Sequence, residues 1–186
     1  MSLVDILKAQ SVWTYDIMAA TADLGEMIRE DALTSVNLAQ VQSMANQQGI
    51  ALGTTSLQGA KLEAEFGGDW IWNYDGATLL VQAKKLDAIK GQNFASYTIN
   101  IDQLKILMTN CTDGYFSDAK AIPLYVFYNT FIDDDHKDDV GCIMIHAKTL
   151  WTWLCTNGQS DQKTATVSPT QMKTAGAGPW WQIFSS

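Results

Sequence analysis

Arginine is almost missing from this chain. Arg29 is the only one in 186 residues, and the other eleven basic side chains are lysines. Twenty acidic residues against twelve basic ones leave a net charge of −8. That balance excludes a broad, non-specific grip on nucleic acid, so any phosphate-binding site has to be local. Cysteine is scarce as well. Cys111, Cys142 and Cys155 are odd in number, widely spaced and without a CxxC pair. Only His136 and His146 are available to join them, which argues against a zinc site. Free thiols fit a reducing cytoplasm. No run of apolar residues is long enough to span a bilayer. The first residues, Met1-Ser2-Leu3-Val4-Asp5, lack the basic region and continuous apolar stretch of a signal peptide. The expectation is a cytoplasmic, acidic domain with no membrane partner.

What is present is apolar bulk. Apolar residues make up 47% of the chain, enough at this length for one domain with a sizeable core. The expected organisation of residues 1–186 is N-terminal helices over about 3–48, a core of sheet and helices over about 50–155, and a polar loop with a last strand over 156–186. Residues 3–29 read as one or two helices. A second helix is expected to begin near Thr34, capped by Asp31 or Thr34, and to end at Gln47-Gln48-Gly49. A short strand is expected at Ile50–Leu52, then a polar loop to about Ala60. Further on, Leu124–Asn129 reads as a buried strand launched by Pro123. Asp133–Asp139 reads as an acidic loop, Val140–His146 as a strand and Ala147–Cys155 as a helix. Residues 156–178 read as a polar tail before a closing apolar strand, Pro179–Phe184. This order predicts an α/β fold, a mixed sheet flanked by helices.

The strongest local signal lies at residues 69–86. Asp69-Trp-Ile-Trp-Asn-Tyr74 and Ala77-Thr-Leu-Leu-Val-Gln-Ala-Lys84 flank Asp75-Gly76, the signature of a tight hairpin. A two-residue turn pairs Tyr74 with Ala77 and, counted back, Asp69 with Gln82. Opposed residues share a face, so Asp69, Gln82 and Lys84 gather on one side of the sheet. A carboxylate and an amide oxygen are hard ligands suited to Mg²⁺ or Mn²⁺. A lysine beside them suits a water molecule or the developing charge on a phosphate. A second carboxylate is wanted, and Glu30, Glu63 and Glu65 are the candidates.

Asp69…Gln82-Ala83-Lys84 resembles the PD-(D/E)XK nuclease superfamily, in the Mrr-like branch where QxK replaces ExK. Leu80-Val-Gln-Ala-Lys-Lys-Leu86 is similar to the second motif strand of that branch. Glu30-Asp31-Ala-Leu-Thr34, leading into a helix, is similar to the acidic helix that often completes the metal site. Glu65-Phe-Gly-Gly-Asp-Trp-Ile-Trp72, Gln82-Ala-Lys84, Gln103, Pro123–Asn129, Gly141-Cys142 and Pro179-Trp180 together resemble a small, nuclease-like bacterial family of unknown function. The resemblance departs from the superfamily pattern at Gly68, where proline is usual, and at Gln82. It implies a restriction-endonuclease-like fold and metal-dependent cleavage of nucleic acid, DNA in preference to RNA. Asp69, Gln82 and Glu30 would hold the metal, and Lys84 would orient the water. Lys61, Lys85 and Lys90, near the motif in sequence, are the candidate phosphate contacts. Glutamine at residue 82 and the shortage of arginine also fit a catalytically silent module on the same fold, acting through nucleic acid, a protein partner or a second copy of the chain.

Other features have plainer readings. The Asp133–Asp139 run lacks EF-hand spacing and reads as a solvated turn. Trp151, Trp153, Trp180 and Trp181 read as cover for one sheet face rather than as a base-stacking platform. His146, alone at a strand end, reads as structural.

Overall fold

The computed structural model describes residues 1–87 and 95–185. Two long helices come first, α1 (Leu3–Asp23) and α2 (Glu30–Gln47). Ser2 and Asp5 form a reciprocal capping box that starts α1. The second helix starts four residues earlier than expected. Arg29 is its N-cap and makes no side-chain cap hydrogen bond, so neither Asp31 nor Thr34 caps it. Acidic Glu30 and Asp31 in the first turn suit the positive end of the helix dipole instead.

The expected strand at 50–52 is displaced to β1 (Gly53–Ser56), and a short helix, α3 (Ala60–Phe66), follows it. The hairpin forms as read, with β2 (Trp70–Tyr74) and β3 (Ala77–Lys85) paired Tyr74 to Ala77 and Trp70 to Val81. Asp75 and Gly76 both have positive φ, 48° and 76°, which a two-residue type I′ turn requires. Next come β4 (Tyr97–Asn100), α4 (Ile101–Thr112) and the buried strand β5 (Ile122–Tyr128). The acidic run holds a one-turn helix, α5 (Lys137–Val140), before β6 (Cys142–His146) and α6 (Ala147–Thr156). His146 accepts from the Lys148 amide at the start of α6, a capping role.

The C-terminal region departs most from expectation. The polar tail contains β7 (Thr164–Val167) and α7 (Pro169–Ala175). The closing strand shrinks to β8 (Gly178–Pro179), and Trp180–Phe184 is a 3₁₀ helix.

Six strands form one mixed sheet in the order β1-β2-β3-β5-β6-β8, parallel between β3 and β5 and antiparallel at its other pairings. A separate ribbon pairs β4 with β7. This is an α/β fold, a mixed sheet flanked by helices, consistent with a restriction-endonuclease-like architecture.

Alternation along the hairpin assigns its two faces. Tyr128, opposite Lys85 in the register, receives a 3.2 Å hydrogen bond from Thr34 of α2. On that same face Trp70 and Trp72 are fully buried. Trp72 meets Trp180 and Phe184 of the 3₁₀ helix, and the Trp180 indole N–H donates to the Leu7 carbonyl of α1. On the other face Leu80 and Leu107 of α4 close over Gly68. Gly67 is needed there: its φ is +73°, and a Cβ would lie 2.6 Å from the Leu107 amide nitrogen.

A buried polar cluster fixes α2 against α1. The Gln10 amide donates to Asn37 Oδ1 at 2.6 Å and to Gln40 Oε1 at 2.7 Å. Thr14 Oγ1 also donates to Asn37 Oδ1, at 2.8 Å. Among the described residues no helix is long and apolar enough to cross a membrane.

Candidate active site

Asp69 sits one residue before β2 with its backbone held on both sides. Its N–H donates to Val81 O at 2.8 Å, and its carbonyl accepts from the Leu57 amide at 2.7 Å. The residue is 7% exposed, so this carboxylate has left most of its water behind. Its Oδ2 accepts from the Ala83 amide at 2.7 Å and from the Gln82 side-chain amide at 2.6 Å. Burial pushes the carboxyl up to about 7, although the Ala83 bond and the Lys84 charge oppose the shift; Glu30 and Glu63 push it further up. A buried carboxylate in that condition is a group that gains from a nearby cation.

Gln82 is fully buried on the same face. Its Nε2 donates both to Asp69 Oδ2 and, at 2.9 Å, to Ala83 O. Its Oε1 is buried and has no hydrogen-bond partner among the described residues. Tyr125, opposed to Gln82 across β3 and β5, adds a second buried oxygen without a partner there. Burial raises the Tyr125 phenol well above its ordinary value, and the charges of Asp69 and Glu30 raise it further, so it remains a neutral hydroxyl. Sequence reasoning missed Tyr125 because its place depends on the β3–β5 register, which no local signal reveals.

Glu30 arrives from the first turn of α2. Its Oε1 accepts from Lys84 Nζ at 3.1 Å, and its Oε2 accepts from the Lys85 backbone amide at 2.7 Å. The Lys84 side chain is only 13% exposed, which makes this pair more consequential than a solvated surface bridge. Glu63 lies near enough to act on Asp69, but its Oε1 takes the Gly59 amide. Glu65 is exposed.

Asp69, Gln82, Lys84 and Glu30 are therefore brought together, and of the expected phosphate lysines Lys85 is turned away from them. Lys85 alternates to the opposite face, where its ammonium meets Leu86 O at 3.3 Å and Asp87 at 3.2 Å. Lys61 is exposed on α3. Lys90 lies outside the described residues. An open cleft of about 850 Å³ borders Glu30, walled by Arg29, Asp31, Ser35, Gln58 and Glu63. The single arginine is neutralised there by Asp31, at 2.9 Å.

Among the described residues no three His, Cys, Asp or Glu side chains converge as a metal cage. Magnesium does not need one, since it keeps several waters and takes one or two carboxylates. The donor set fits such an ion: a buried carboxylate short of positive charge, an amide oxygen without a partner, and the Ala83 carbonyl beside both.

A family of unknown function, DUF6615, matches residues 3–185. The chain belongs to that family. The match spans α1 to the 3₁₀ helix, so it includes the candidate site and both layers of helices. Among curated proteins no match is found.

Proposed function

We propose that this member of DUF6615 is a metal-dependent phosphodiesterase acting on nucleic acid, a PD-(D/E)XK-type nuclease of the QxK branch. The observation that carries the reading is the convergence of Asp69, Gln82, Lys84 and Glu30 from two adjacent strands and one helix end. Asp69 and Gln82 would hold Mg²⁺ or Mn²⁺, with Glu30 as the assisting carboxylate. When bound, the metal polarises a phosphoryl oxygen and lowers the pKa of a water. Lys84 supplies a fixed positive charge for the attacking water or the developing phosphorane oxygens. Glu30 keeps that ammonium in place, since the pair is held at 3.1 Å and Glu30 is itself anchored to β3. DNA in preference to RNA is the substrate that the resemblance suggests.

The test is cleavage of single-stranded DNA, duplex DNA and RNA with Mg²⁺ or Mn²⁺, with EDTA as the control. Lys84→Ala and Asp69→Asn should each lose at least about a hundredfold in rate, the usual scale for a positioned charge at a transition state. Mg²⁺ should also raise the thermal midpoint of the native chain at pH 8 and leave that of Asp69→Asn unmoved. Cleavage that survives EDTA, or that is unchanged from the native rate in both variants, would sink the enzymatic reading.

A second reading is a catalytically silent module of the same fold, and the charge of the cleft favours it. Glu30, Asp31 and Glu63 wall the opening, while Arg29 and Lys85 are already paired with Asp31 and Asp87. That module would capture a nucleic-acid end, a protein partner or a second copy of the chain without turnover. Oligonucleotide binding unaffected by EDTA, with no cleavage of any of the three substrates, would identify it.

A further inference from the structure

The hydrogen bonds of Gln82 decide which way its amide faces. The atom 2.6 Å from Asp69 Oδ2 also lies 2.9 Å from Ala83 O. A carboxylate and a carbonyl oxygen both accept, so the atom between them has to be the NH₂ group. The amide oxygen is then turned into a buried spot where it finds no donor among the described residues. A buried acceptor left unpaired costs roughly 1–3 kcal/mol. The amide is therefore well bonded at one end and frustrated at the other.

The NH₂ group supplies the positive end of a dipole to two oxygens that would otherwise face a cation. A half-turn about the last side-chain torsion, a soft two-fold rotation, exchanges the nitrogen for the oxygen and adds a third. Glutamate has no such alternative. It carries no N–H to offer Asp69 and would set a second negative charge beside it.

We propose that the Gln82 side-chain amide is a built-in cation surrogate: it holds Asp69 through its NH₂ group when no metal is present, and turns its oxygen inward when a divalent cation enters. The inference rests on the metal-site reading above. The turn makes cation loading a competition against two existing hydrogen bonds. Only one buried carboxylate, Asp69, then draws the ion directly, so the cation alone binds weakly. Replacing Gln82 by glutamate removes the competitor and adds a ligand charge.

The experiment is solution NMR on the full, isotope-labelled chain, titrated with Mg²⁺ at pH 8. Gln82 is assigned through its own backbone, and the Asp69 carboxyl carbon reports cation binding independently. Without Mg²⁺, a through-hydrogen-bond coupling should connect Gln82 Nε2 with the Ala83 carbonyl carbon. It should vanish as the Asp69 carbon signal shifts, with a common midpoint. In Gln82→Glu the Asp69 response should saturate at about tenfold lower Mg²⁺ or less. An Asp69 response with the Gln82 coupling intact would overturn the surrogate and leave the metal site standing. No Asp69 response at tens of millimolar Mg²⁺ or Mn²⁺, with or without oligonucleotide, would overturn both.

Discussion

The β2–β3 hairpin is made of alternate residues that serve two unlike environments. One face presents Trp70, Trp72, Val81 and Ala83, all fully buried, to α1 and the 3₁₀ helix. The other presents Asp69, Gln82 and Lys84, and here a carboxylate is buried and an amide oxygen lacks a partner. Both faces bury polar atoms that lack a hydrogen-bond partner among the described residues, the Trp70 and Trp72 indole nitrogens on the first and the Gln82 and Tyr125 oxygens on the second, but of the two only the second buries a carboxylate. Apolar packing is present on both sides, with Leu80, Tyr125 and Phe127 fully buried on the second, and the candidate site lies on that second side. The buried carboxylate persists because packing on both sides fixes the backbone that carries it.

If the faces differ in this way, substitutions should divide between them. Trp72→Ala should be the most damaging, costing about 3–5 kcal/mol in urea unfolding through the cavity it opens. Asp69→Asn should act in the opposite direction at neutral pH. The folded carboxyl holds its proton up to about 7 against an ordinary 3.8, so the unfolded chain releases its proton first. Stability therefore falls as pH rises between those values and is level above them, by at most on the order of 4 kcal/mol. Asparagine carries no charge to bury, so Asp69→Asn should be the more stable protein at pH 8 and should lack this decline. A native chain whose stability does not fall between pH 4 and 7 would show that the buried carboxylate is solvated or compensated.

Smaller effects sharpen the contrast. Glu30→Ala leaves the Lys85 amide and the Lys84 ammonium without their acceptor and should cost about 1–3 kcal/mol. Calorimetry should find that loss larger than in Lys84→Met, which spares the bond to the Lys85 backbone. Tyr125→Phe should stabilise by about 1 kcal/mol, because the hydroxyl it removes is buried with no partner to lose. A loss above about 2 kcal/mol would mean that this hydroxyl is bonded in solution.

The hairpin was legible because Asp75-Gly76 fixes a turn type, and a turn type fixes a register, which in turn set the face shared by Asp69, Gln82 and Lys84. Glu30 was one of three candidate carboxylates, and only the family resemblance singled it out. Nothing local says that its carboxylate ties the end of β3, and the cap-forming residues at 31 and 34 drew the expected helix start away from it. β1 was missed because Gly53-Thr-Thr-Ser56 is a polar edge strand with little to bury. The helix at Pro169–Ala175 did carry a signal, Ser168 with Gln171 as a capping box and proline at the first turn. Composition hid it among polar residues. The closing Trp-Trp-Gln-Ile-Phe run misled for the reverse reason, since a short apolar run does not reveal its own period.

The polar cluster between α1 and α2 has a bearing on the site at some distance from it. Asn37, gripped by Gln10 and Thr14, lies seven residues along the helix from Glu30, about two turns and ~10 Å. Thr34, bonded to Tyr128, lies midway between them. A helix fastened at both of these points behaves as a measuring rod laid across the sheet. A slip by a single residue would swing the Glu30 carboxylate by about 100° and carry it away from Lys84 and Lys85. The spacing of three ordinary polar residues on α2 thus sets the angular position of the charge that Lys84 answers to.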